Sequence, residues 1–167
     1  PGAVCRRAHS FSNYARGISL DDFDHFGSTA IPNLIAKPII DMMTPVAHMD
    51  DARRCVLKLQ DLGYHRVETD FAKRVLFRRD DGATGLAYHL HFALCPAWPV
   101  KNELLFRDWL RDHTDVAAEY AELKRRLAGE SHGDVVRYTY GKSAFIRRVI
   151  CDARAAAGLP AETDWSE

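Results

Sequence analysis

Five residues, Ile39-Ile40-Asp41-Met42-Met43, boxed between Pro38 and Pro45, constrain the fold of this chain more than any other stretch. The run is apolar, too short for an ordinary helix, and fenced by residues without a backbone donor, so it reads as a buried strand. Asp41 interrupts it. Burying a carboxylate is costly unless it is paired, metal-bound or at the edge of a site, so something nearby must compensate it. An ion pair with Lys37, Arg78 or Arg107 would do so, and so would a cation; the strand alone leaves both open. Just upstream, Phe26-Gly27-Ser28-Thr29-Ala30-Ile31-Pro32 offers a glycine for tight backbone and hydroxyls that can cap a turn. Backbone donors and a hydroxyl on one side, with a potential Mg²⁺ ligand on the other, suit phosphate binding.

The rest of the chain divides by period. Asp50 and Asp51 can cap a helix whose apolar positions Ala52, Cys55, Val56, Leu59 and Leu62 follow helical spacing, ended by Gly63. Strands are expected over 64–69 and 74–78, then a turn at Asp80-Asp81-Gly82 and a longer strand over 86–94. After Pro96 and Pro99 the period becomes helical: Leu104, Leu105, Trp109 and Leu110, a break near His113 and Thr114, then Val116, Tyr120, Leu123 and Leu127. Gly129 and Gly133 close that pair. A last helix is expected over 143–157, stopped by Gly158-Leu159-Pro160, and residues 1–23 fit a short, imperfect lead-in helix through Tyr14, Ile18 and Leu20. The expected class is α+β, in one domain spanning 1–167.

Lysine plus arginine equal aspartate plus glutamate at 23 each, so there is no single-signed field to draw the chain to nucleic acid or acidic lipid, and a small partner is favoured. The clusters Lys124-Arg125-Arg126 and Arg147-Arg148 read as solvated helix faces. Cys5, Cys55, Cys95 and Cys151 lack the CxxC spacing of zinc or redox sites and are expected as buried, reduced thiols. No apolar stretch approaches the roughly 18 residues of a membrane span, and the N-terminus lacks the charged-apolar-small order of a signal peptide, so the expected location is cytoplasmic.

His89 and His91 stand two apart on a predicted strand, so their imidazoles share a face. From spacing alone a polar strand surface accounts for them as well as a ligand pair does. If their strand lies beside that of Asp41, the three side chains form a two-His-one-carboxylate set, which suits Fe²⁺, Mn²⁺ or Zn²⁺ better than Mg²⁺. Arg78, Arg107 and Lys142 could place positive charge on a phosphate. Arg107 also lies beside Asp108 and one turn from Arg111, where an exposed helix ion pair is the alternative. Trp109 and Tyr120 are assigned to packing.

The string Phe26-Gly27-Ser28-Thr29-Ala30-Ile31-Pro32-Asn33-Leu34-Ile35-Ala36-Lys37-Pro38-Ile39-Ile40-Asp41 resembles the signature stretch of the GrpB family, also called UPF0157. The resemblance continues from Leu57 to Tyr64, through Tyr88-His89-Leu90-His91, from Leu105 to Arg111 and from Lys142 to Ile146, covering about residues 24–150. It implies a nucleotidyltransferase-like mixed β-sheet flanked by helices, with a helical C-terminal part. It also implies that the Gly27-Ser28 loop holds a nucleotide phosphate, with Ser28 in contact, and that Asp41 binds metal; Thr29 and Lys37 are expected at the same phosphate, and the expected cation is Mg²⁺ or Mn²⁺. The reaction implied is metal-assisted nucleotidyl transfer on a nucleotide or other phosphorylated small molecule.

Active enzymes of that superfamily usually carry a second acid two residues after the first, where this chain has Met43, on the same strand face as Asp41. Asn33 likewise stands where a glycine is commoner, and the lead-in before Asp24 is shorter than usual. Two other readings stay open. One is a metalloenzyme of another class built on Asp41, His89 and His91; the other is an inactive nucleotide-binding module, in keeping with GrpB-like domains joined to a coenzyme A biosynthesis kinase in some proteins.

Overall fold

The computed structural model describes residues 23–69, 74–94, 101–163 and 165. The expected lead-in helix, Cys5 and Cys95 lie outside them.

Five strands, β1 (Asp24–Phe26), β2 (Ile39–Val46), β3 (His65–Val67), β4 (Arg74–Asp81) and β5 (Leu86–Leu94), form one sheet in the order β1-β2-β5-β4-β3. β2 and β5 run parallel and the other pairs antiparallel, so the sheet is mixed. The boxed apolar run is a strand, as its composition required, but it continues through Pro45 to Val46. β1 pairs only with Asp41 to Met43, so Pro45 lies past that partner, where its missing N–H breaks no recorded ladder bond on that side.

Alternation along the strands sorts side chains between two helical layers. On one face Met42, Val46, Val75, Phe77, Leu90 and Phe92 pack against Ala52, Cys55, Val56 and Leu59. These come from two short helices, α1 (Met49–Arg54) and α2 (Val56–Asp61), which replace the single helix expected, with the break at Cys55. The N-cap is His48, whose backbone N–H donates to Asp51 Oδ2 at 3.1 Å in a capping box. Phe77 and Phe92 are at most 1% exposed and meet edge to face, each worth about 1.5–3 kcal/mol of burial.

The opposite face carries Phe26, Met43 and Ala93 against Leu104 of α3 (Asn102–Asp112). Behind it Leu110, Tyr120 and Val149 close over Ile31, joining α3 to α4 (Thr114–Glu130) and α6 (Ser143–Ala156). Tyr120 is core and Trp109 stacks on His113, the packing roles expected of both. A further helix, α5 (Val135–Gly141), fills the expected gap before α6. Its Val135, Val136 and Tyr140 are exposed, so it carries no apolar stripe for periodicity to detect. At the end of α6, Gly158 at φ +66 and the bond from Leu159 N to the Arg154 carbonyl make the expected stop. The cysteine expectation needs correction: Cys55 is half-buried and Cys151 exposed, because Cys151 falls off the α6 stripe of Val149, Ile150 and Ala153. No helix among the described residues is long and apolar enough to cross a membrane.

Candidate functional site

The parallel pairing of β2 with β5 sets Asp41 opposite His89 and Met43 opposite His91. Because register partners share a face, Asp41, His89 and His91 all project from the face that α3 covers only in part. His89 Nδ1 lies 3.0 Å from Asp41 Oδ1, and His91 Nε2 lies 3.9 Å from the same oxygen. One ligating atom from each residue falls within 4.8 Å of the others, so the three can converge on one ion. Neighbouring donors on one cation at about 2.1 Å stand roughly 3–3.5 Å apart, a spacing that His89 and Asp41 already have and that His91 reaches by closing in slightly on Asp41.

Burial grades the set: the side chain of His91 is 9% exposed, His89 18% and Asp41 24%. His91 stands edge-on to Phe26, and burial pushes its pKa below the ordinary histidine value against the pull of Asp41. It is therefore uncharged at neutral pH, the form that ligates a metal. Its Nδ1 is buried without a hydrogen-bond partner among the described residues. The compensation for Asp41 is thus the histidine pair, and none of Lys37, Arg78 or Arg107 forms an ion pair with it. Met43, 0% exposed, belongs to the core under α3, so the position where a second acid would stand is closed to solvent.

Gly27 closes one side of this centre. Its φ of 70° and ψ of −169° fall in a region open essentially to glycine alone. A Cβ there would stand 2.7 Å from Asp41 Oδ2, so the backbone approaches the carboxylate as closely as the absence of a side chain permits. Ser28 and Thr29 follow in a 3₁₀ turn, Ser28–Ala30. Thr29 Oγ1 donates to the Ile39 carbonyl at 2.8 Å and lies 3.0 Å from His25 Nε2, so it anchors the loop to the start of β2. Asn33, at φ 60, takes a left-handed turn that asparagine tolerates better than most residues.

The expected cationic residues separate into two groups. Arg78 is in register with His89, but both oxygens of Asp80 hold its guanidinium. Arg107 clamps Asp108 and also donates to Asp24 Oδ1 and, at 2.8 Å, to the His25 carbonyl, so it ties α3 to β1. Arg111 does the same for the loop through the Ala30 carbonyl at 2.8 Å. Lys37 and Lys142, in contrast, lie with their ammoniums 5.7 and 4.6 Å from the Tyr138 ring centroid and take no ion pair among the described residues.

Lys124 does not lie on the solvated face that its basic neighbours suggest. It is 8% exposed, donating to Ser28 Oγ at 2.8 Å and to the Ile35 carbonyl. Burial, aided by Lys142, pushes its pKa down to about 8. The signal was present in the sequence, since Lys124 lies four residues after Tyr120 and three before Leu127, on the buried stripe of α4. Arg125 and Arg126 do pair at the surface, with Glu122 and Glu130.

Fold and site together define an α+β protein whose mixed five-stranded sheet, flanked by helices, presents a His-His-Asp cluster beside a glycine loop. Residues 5–151 match the family model described as GrpB protein, and the chain belongs to the GrpB family. It is 39% identical over 140 residues to the UPF0157 protein PA4798 of Pseudomonas aeruginosa, covering 82% of this chain and 57% of that protein. It is 30% identical over 148 residues to a protein named dephospho-CoA kinase from Mycolicibacterium paratuberculosis, covering 74% of this chain and 36% of that one. The crystal structure of GrpB from Enterococcus faecalis superposes with a TM-score of 0.70 at 28% identity, over 81% of both chains. The chain thus spans little more than half of the first of these relatives.

Proposed function

We propose that this chain acts on a phosphorylated small molecule of nucleotide type, with one divalent cation held by Asp41, His89 and His91 and with phosphate oxygens received by the Gly27-Ser28-Thr29 loop. The observation that carries this reading is the convergence of the three ligating atoms within 4.8 Å beside a glycine backbone pressed on Asp41. The name dephospho-CoA kinase borne by one set of relatives adds weight to a nucleotide-like substrate.

A bound cation would supply Lewis acidity, polarising a phosphoryl oxygen. The protein's own groups do the rest. Ser28 Oγ accepts from Lys124, which leaves its O–H to donate to a phosphate oxygen. Lys37, Lys124 and Lys142 oppose negative charge developing on a leaving phosphate or pyrophosphate. The reaction we favour is nucleotidyl transfer on a nucleotidyltransferase-like fold: the oxygen of an acceptor hydroxyl bonds to the α-phosphorus and its proton passes to solvent, while the bond from that phosphorus to the bridging oxygen breaks and pyrophosphate departs. Two imidazoles in the donor set favour Mn²⁺, Fe²⁺ or Zn²⁺ over Mg²⁺.

A second reading draws on Met43. With no acid at that position only one metal is supported, which suits a module that binds nucleotide without turning it over, or a single-metal enzyme of another class.

Elemental analysis of purified protein, with thermal-shift screens of nucleotides and metals, separates these. Transition metal retained by wild type and lost in His91→Ala and Asp41→Asn, together with metal-dependent nucleotide stabilisation, is the expected result. Nucleotide stabilisation identical in wild type and Asp41→Asn, without bound metal, would overturn the proposal. Iron with redox turnover and no pyrophosphate release would favour the other enzyme class.

A further inference from the structure

Residues of α4, α5 and the 35–37 loop line a cavity of about 380 Å³, within the size range of small-molecule sites. Ile35, Ala128, Val135 and the ring of Tyr138 line it, with Lys37 and Lys124 at its wall. Three ammoniums gather here, since Lys37 and Lys142 both approach the Tyr138 ring and Lys142 depresses Lys124 electrostatically. None takes an ion pair among the described residues. Of the other charged groups at the cavity, Arg125 is engaged by Glu122 and the Asp134 carboxylate caps α5 by accepting from Arg137 N.

Lys124 is buried, Lys142 half-buried and Lys37 exposed; like charges collected this way without an ion-pair partner raise the energy of the free protein, and an anion brought by a ligand relieves that. The apolar walls call for something besides charge. We propose that this cavity receives the organic body of the substrate, an aromatic or aliphatic group of nucleoside size, while Lys37, Lys124 and Lys142 grip its phosphate. The Lys124 bond to Ser28 makes the two sites continuous: Gly27 touches Asp41 and the next residue touches Lys124, so a phosphate on Ser28 spans both. The ligand class is therefore an organic phosphate with an apolar or planar body, held with its ester or anhydride linkage directed at Asp41. This rests on the reading of the metal centre as a phosphate-handling site, and the two can fail separately.

The test uses ADP, inorganic pyrophosphate and the dye 8-anilinonaphthalene-1-sulfonate, an aromatic anion that fluoresces in apolar cavities, all measured in chelator by calorimetry or fluorescence. Wild type is expected to bind the dye and release it to ADP. Ala128→Trp, which fills the cavity, should weaken dye and ADP by about tenfold or more and leave pyrophosphate unchanged. Lys124→Met and Lys37→Met should each weaken ADP and pyrophosphate by about tenfold, the value of one charge-assisted contact. Lys37 is exposed, so its variant carries the test if the Lys124 variant does not fold. Equal ADP affinity in wild type, Ala128→Trp and Lys37→Met overturns the inference, as does a wild type that binds neither dye nor ADP. If wild type never holds metal but the cavity variants behave as expected, the metal reading falls and the cavity stands. If metal is bound and lost in Asp41→Asn while ADP ignores Ala128→Trp, the cavity inference falls alone.

Discussion

Substituting Gly27 by alanine tests the geometry of the centre at its tightest point. Two separate costs arise. The backbone at φ 70°, ψ −169° is strained for any L side chain, by about 1–3 kcal/mol. The new methyl would also stand 2.7 Å from Asp41 Oδ2, so either the loop or the carboxylate must move by several tenths of an ångström. Asp41 is held on the other side by His89 at 3.0 Å, so the displacement falls on the proposed ligand set itself. For a chain of 167 residues each kcal/mol lowers Tm by about 2–4 °C, so the strain alone predicts a fall of roughly 2–12 °C. Disturbing a group that orients metal ligands costs about 10–100-fold in metal affinity. Gly85 supplies the control: it has φ +69, but nothing lies within 4 Å of the Cβ it would gain, so Gly85→Ala should lower Tm and leave metal affinity intact. The assays are differential scanning calorimetry of the metal-free proteins and competitive Mn²⁺ or Zn²⁺ titration. Equal effects of Gly27→Ala and Gly85→Ala on both readouts would refute the close approach.

Two further outcomes follow from charge. Arg107→Met removes the clamp between α3 and both the Asp24 carboxylate and the His25 carbonyl and should lower unfolding stability by about 1.5–3 kcal/mol in urea, the range for bonds to a charged group, with the metal affinity of the folded protein retained. The pH dependence of Lys124 has a definite sign. Its folded pKa of about 8 lies below the ordinary lysine value of 10.5, so it is charged in both states below pH 8, while between those values the unfolded chain holds more protons. The stability of the free protein therefore rises with pH across that interval, and ADP affinity falls as the contact loses its charge. Lys142, also lowered, and Tyr138, raised, lie close by, so the measurement is the difference between wild type and Lys124→Met from pH 7 to 10; coincident profiles would sink the assignment.

Strands and helices were legible in proportion to how far their apolar pattern carried. The 39–43 run, the 86–94 strand and the stripes of α3, α4 and α6 bury regular faces, and regular faces show in a linear string. α5 buries almost nothing and left no trace, and the break at Cys55 is a local geometry within a continuous apolar period. Lys124 was misread because a basic triplet on a helix was judged by its charge rather than by its register. Arg107 and Lys142, alike as candidate cations, parted only when packing assigned carboxylates and a carbonyl to one and an aromatic ring to the other.

By itself the sequence determined that Asp41 sits in a strand, half-buried at that point rather than buried as expected, that His89 and His91 share one strand face, and that the 26–41 stretch resembles GrpB, because alternation and residue type are properties of neighbours along the chain. What it left open was Asp41's partner. Forty-eight residues separate Asp41 from His89, and no local rule states which strands lie side by side or in what register. The parallel pairing of β2 and β5, set by packing of both sheet faces against helices, chose histidine over arginine or lysine and sealed Met43 into the core, while the helical packing brought Lys37 and Lys142 to the ring of Tyr138 and Lys124 to Ser28.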